Sequence, residues 1–162
     1  YPRGSGIGVP ADGRLLVLKI GKGEVLREGK DLALLAIGST VAAALDAAKG
    51  LEMEGIEATV LNCRFVKPLD HKLLADVLKD IHDIVTIEDN VLAGGFGTAV
   101  MELLGNLELN VRVRRIGYPD QFIEHATRPA LLERYGLSGA GIAKVAREML
   151  NSAAISGWRS KH

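Results

Sequence analysis

Four short polar groups in this sequence have side chains and spacings that could do chemistry. They are Ser39-Thr40, Asn62 with Arg64, Glu88-Asp89-Asn90, and Tyr118 with Asp120. Each follows an apolar run, and in an open α/β sheet the residues just past the strand ends are the ones that meet ligands. The same positions have a plainer use, because Ser, Thr and Asp accept hydrogen bonds from the free amides that begin a helix. For Ser39 and Asp70 capping is the expected role, with no ligand needed.

A fifth group, Gly94-Gly95-Phe96-Gly97, opens a helix after a strand, and its free amides could hold an anion. It lacks the dinucleotide pattern: Val100 stands where Gly or Ala is needed, and the glycines lie well beyond the preceding apolar run. Close backbone packing is its expected use. The four histidines, His71, His82, His125 and His162, are not at metal-ligand spacing, and the single Cys63 adds no ligand pair. His125, beside Glu124 in a loop past a strand end, is kept as a candidate site residue. No serine sits in a Gly-x-Ser-x-Gly elbow. The expectation is that no catalytic, metal or cofactor site is complete within this chain.

The elements that must position these residues alternate regularly. Leu32–Ile37 is continuously apolar, as a strand covered on both faces must be. Val41, Ala44, Leu45, Ala48 and Leu51 then recur at helical spacing up to about Glu54, and Gly55 ends the helix. Further strands are expected at 56–61, 83–87 and 111–116. The helices between them begin at Asp70 and after Gly97, and two more follow, capped by Thr127 and Ser138. Residues 14–27 read as a small hairpin or edge strand around Gly21-Lys22-Gly23. This rhythm requires a doubly wound, three-layer α/β domain with a mostly parallel sheet of four or five strands, since parallel neighbours need a long return segment. Residues 1–13 read as a linker, 14–150 as the domain, and 151–162 as a loose tail without pattern.

Composition limits the function. In 162 residues, 48% are hydrophobic and 25% charged, enough for one domain with a real core. Lys plus Arg and Asp plus Glu each total 20, so no net field draws the chain to nucleic acid or to an acidic membrane. No apolar run approaches the roughly 20 residues of a membrane span. One cysteine cannot form an internal disulfide, which fits a reducing compartment. The start at Tyr1, without Met or a signal-like stretch, is read as that of a fragment.

Several runs, in order, resemble one family: Tyr1-Pro2-Arg3-Gly4, Ile20-Gly21-Lys22-Gly23-Glu24, Asn62 to Asp70, Glu88-Asp89-Asn90 with Gly94-Gly95-Phe96-Gly97, Pro119 to His125, and Tyr135-Gly136-Leu137. On these the chain, from Tyr1 to about Leu150, is similar to the third, C-terminal domain of 1-deoxy-D-xylulose-5-phosphate synthases, thiamine-diphosphate enzymes of the transketolase type. The resemblance implies a transketolase C-terminal fold, with residues 1–13 including the end of the preceding pyrimidine-binding domain. It implies a parent homodimer that uses thiamine diphosphate and Mg²⁺, both bound by its other domains. That enzyme condenses pyruvate with D-glyceraldehyde 3-phosphate in the bacterial cytoplasm or the plastid stroma. In that parent, Arg3 resembles the arginine that reaches the substrate phosphate. The domain alone is then architectural and inert, partnered by the N-terminal domains. Two other readings stay open: the C-terminal domain of a ketoacid dehydrogenase beta subunit, and a free-standing α/β anion-binding module.

Overall fold

The computed structural model describes residues 17–156. Arg3, the expected linker 1–13 and residues 157–162 lie outside them.

Five strands make one sheet: β1 (Glu24–Arg27), β2 (Leu32–Ala36), β3 (Ala58–Asn62), β4 (Asp83–Val91) and β5 (Arg112–Tyr118). Their spatial order is β1-β3-β2-β4-β5. All neighbours are parallel except β1, which runs antiparallel to β3 with Glu24 opposite Asn62. β1 is therefore the edge strand anticipated for this region. The helices are α1 (Val41–Glu52), α2 (His71–Val77), α3 (Phe96–Asn106), α4 (Arg128–Arg134) and α5 (Gly139–Ser156).

β2 shows why the apolar run is unbroken. All five of its residues are buried, because both faces of the central strand are covered. Leu32, Leu34 and Ala36 face a core shared with Ala44, Ala48 and Leu51 of α1 and with Ile142 and Ala146 of α5. Ala33 and Leu35 face the opposite core, with Leu74 of α2 and Phe96, Val100 and Leu104 of α3. The alternation follows from the two-residue period of a strand.

This layering fixes where a site can form. The connection from β2 returns to β3 over one face by α1, whereas that from β4 reaches β5 over the other by α3. The adjacent carboxyl ends of β2 and β4 are therefore the topological switch point, where a crevice opens in doubly wound sheets.

The boundaries that differ most from the sequence reading are the ends of β4 and α5. β4 continues through Glu88, Asp89 and Asn90 to Val91, residues expected in a loop. The extension is possible because β5 follows it: after a register shift beyond Ile87, Val91 pairs with Tyr118. α5 runs on to Ser156, into the stretch expected to be a loose tail. Its hold there includes Arg112, which donates to the Met149 carbonyl at 2.9 Å and to Ser152 Oγ at 3.2 Å.

Candidate functional site

The switch point carries a shallow depression of about 300 Å³, lined in part by Ser39, Val66, Asp89, Asn90 and Gly95. Three of its residues have partners that define what it can do.

Glu88 is 1% exposed on β4. Its Oε2 accepts from the Phe96 amide at 2.7 Å and its Oε1 from the Gly97 amide at 2.8 Å. These are free amides of the first turn of α3, where the helix dipole favours a negative charge. The anion that the glycine run could hold is thus supplied by the chain itself. Gly95 has no side chain because a Cβ there would strike the Glu88 carboxylate. Gly95 and Gly97 serve close packing, as expected, whereas Gly94 has open space about it and is required by its positive φ of 66°. With the Glu88 carboxylate in the cradle, no room remains there for a nucleotide phosphate.

Asp89, next along the strand, lies at the rim. Its Oδ2 accepts from Ser39 Oγ at 2.9 Å and from Arg128 Nη2 at 2.5 Å, and Arg128 also reaches Ser39 Oγ at 3.2 Å. Burial pushes the Asp89 carboxyl up, but hydrogen bonds from Arg128, Ser39 and Tyr118, with the Arg128 charge, outweigh it and hold the group below its usual range. Burial, then the Asp89 charge, pushes the Tyr118 hydroxyl up. Tyr118 stands edge-on to Tyr135, ring centres 5.1 Å apart. The cluster ties β4, the turn after β2, and α4 together. Its charges are paired with each other, and holding these three elements together accounts for that pairing.

The structure sorts the sequence candidates as follows. Ser39 and Glu88 to Asn90 do meet at the depression, with Tyr118 behind them. Ser39 is not a cap: Gly38–Thr40 forms a tight 3-10 turn, and its hydroxyl turns across the sheet to Asp89. Thr40 is buried, donating to the Ile37 and Ile87 carbonyls. Asn62 accepts from the Arg64 amide, and Arg64 pairs with Glu24 of β1, away from the depression. Asp70 is a cap, accepting from the Leu73 amide at 3.2 Å, and it also binds Lys22 at 3.1 Å. His125 is exposed on the loop after β5 and does not line the depression. Cys63 is buried, and burial, then the Asp70 charge, pushes its thiol up to about 12, so it is no nucleophile near neutral pH. Arg128 was missed. Its only signal is a cation at the start of a helix, where the dipole disfavours it unless an anion is near.

Thiamine diphosphate and Mg²⁺ do not fit these residues. The amide cradle at α3 is filled by Glu88, and among the described residues no group of three or more His, Cys, Asp or Glu could hold a metal. Nor is any helix among them long and apolar enough to cross a membrane.

Comparison with known proteins identifies the family. The family model for the transketolase C-terminal domain matches residues 21–142. The chain belongs to this family. It is 48% identical to 1-deoxy-D-xylulose-5-phosphate synthase of Heliobacterium modesticaldum over 94% of its own length, and 50% identical to synthase 1 of Geobacter metallireducens over 93%. In each case this transketolase C-terminal domain spans only 24% of the relative. A solved structure described as split gene transketolase, inactive beta4 tetramer, superimposes with a TM-score of 0.76 at 38% identity. That match covers 84% of this domain and 43% of that chain. A Pichia stipitis transketolase at 22% identity and a TM-score of 0.58 shares the fold.

Proposed function

We propose that this chain is the C-terminal domain of a 1-deoxy-D-xylulose-5-phosphate synthase, working within a larger enzyme that joins pyruvate to D-glyceraldehyde 3-phosphate with loss of carbon dioxide. The observation that carries this reading is the near-50% identity to such synthases along almost the whole chain. The internally paired crevice agrees with a domain that supplies architecture rather than chemistry. Thiamine diphosphate and Mg²⁺ would be held by the preceding domains, and the whole would act as a homodimer. The relatives are bacterial, which favours the cytoplasm over a plastid. Arg3, in the Tyr-Pro-Arg-Gly run, would bind the substrate phosphate in that assembly, because a guanidinium matches phosphate oxygens with two parallel donors. His125 keeps no assigned role.

The test is a fusion in which this chain replaces the matching region of the Heliobacterium modesticaldum synthase. Product should form from pyruvate and glyceraldehyde 3-phosphate. A folded fusion that makes none overturns the reading. Calorimetric titration of the 162-residue chain with thiamine diphosphate and Mg²⁺ should show no binding heat, and micromolar affinity would contradict it.

A further inference from the structure

The carboxyl-end face of the sheet exposes apolar residues that the domain does not use. Phe122, on the loop after β5, is 104% exposed, the accessibility of a residue with no neighbours. Val66, on the loop after β3, is 43% exposed. Val17, Leu18 and Ile20 are also exposed, and they lead into β1 at the same end. Glu24 of β1 lies opposite Asn62, the last residue of β3, and Gly21 packs on Pro68 in the loop that follows. Single exposed apolar residues need no explanation, but three separate segments sharing one face do.

Four carboxylates on this face are already paired. Glu24 is paired with Arg64, Asp70 with Lys22, Asp89 with Arg128 and Glu124 with Arg134. Covering those pairs strands none of their charges, whereas Lys19, Lys67 and Asp120, exposed beside the apolar residues, must stay in water or meet opposite charge on a partner. The patch runs from the β1 edge to beyond β5. Four strand spacings of about 4.8 Å make that about 19 Å, before the loops are counted.

We infer that this face docks against the domain that precedes it in the same polypeptide, with Phe122 and Val66 as anchors. The inference rests on the proposed function for the existence of that domain. Two observations favour it over a second copy of this chain. Val17, the first described residue, lies at this same face, so a domain preceding it in the polypeptide is connected there. The relatives are also much longer proteins, of which this chain matches about a quarter.

The experiment compares amide hydrogen exchange in the 162-residue chain with that in the Heliobacterium fusion. Amides 120–126 and 65–67 should exchange at least about 10-fold more slowly in the fusion, as partner burial requires, while those around Met53, at the other end of the sheet, stay unchanged. Phe122→Asp should lower the melting temperature of the fusion and leave that of the isolated chain alone. Met53→Asp should lower neither by that route. Equal exchange in both proteins, or an equal response to Phe122→Asp, overturns the inference. Slowing that appears in the isolated chain and grows with its concentration overturns it in favour of a second copy. If the fusion does not fold, the preceding domains are added as a separate polypeptide, and failure to slow the same amides counts against the surface. Product formation is measured separately. An active fusion with unprotected loops refutes the docking face alone, and a protected but inactive fusion refutes the enzymatic reading alone.

Discussion

The Gly97 amide lies 2.8 Å from Oε1 of Glu88, so a side chain of the sheet closes the helix end that the glycine run leaves open. Without that carboxylate the Phe96 and Gly97 amides are buried donors with no acceptor. Each such loss costs about 1–3 kcal/mol, so Glu88→Ala should destabilise the chain by about 3 kcal/mol. Glu88→Gln keeps one acceptor and should cost less. Urea denaturation reads both, and a loss within error of zero for Glu88→Ala would mean that these bonds are not formed.

Acid should act through Asp89. Its folded value lies below the ordinary 3.8, so the unfolded chain takes up a proton first as pH falls. The tie to Arg128 and Ser39 therefore contributes fully above that ordinary value and is lost as pH falls through the lower folded one. Asp89→Asn should flatten this part of the stability–pH curve, measured by denaturation between neutral pH and acid. A curve unchanged in shape would show that the carboxylate is not held ionised.

The glycine run and the strand–helix rhythm were legible because local spacing encodes both. Glu88 was legible only as a polar residue past a strand end. Its role depends on β4 running beyond Ile87 and on α3 starting opposite it, and both are fixed by the pairing of Val91 with Tyr118 across the sheet. Ser39 was misread for a related reason. A cap is a local bond, whereas its partner Asp89 is 50 residues away, a distance that only the fold closes.

In the core, Leu34 and Thr86 should respond in opposite senses. Leu34 is fully buried on the central strand, and Leu34→Ala should cost about 2–5 kcal/mol. Thr86 is equally buried, and its Oγ1 has no hydrogen-bond partner. Replacing an unsatisfied hydroxyl by a methyl of similar shape, in Thr86→Val, should be neutral or stabilising by about 1 kcal/mol. Thermal melts in parallel read both, and a Thr86→Val loss matching that of Leu34→Ala would reveal a bond to the hydroxyl.

Arg3 is tested in the fusion enzyme. A charge-assisted bond of about 1.5–3 kcal/mol corresponds to a loss of roughly 10- to 100-fold in kcat/KM for glyceraldehyde 3-phosphate on Arg3→Ala. Unphosphorylated glyceraldehyde, which has no use for the contact, should lose little. Equal losses on both aldehydes would assign Arg3 to structure instead of phosphate recognition.

β5 forms one border of the sheet, and its outer backbone groups face away from any sister strand. Such a border is a template on which a foreign strand can add, the first step of fibrous aggregation. Its sequence, Arg112-Val113-Arg114-Arg115, places arginines along that margin, with Arg114 and Arg115 exposed. An incoming strand would have to bring its backbone beside the exposed Arg114 and Arg115, stripping water from their charges without offering a counterion. The border is thus guarded by repulsion, and the domain can present an apolar end to a covalently attached neighbour while its flank stays closed to strangers.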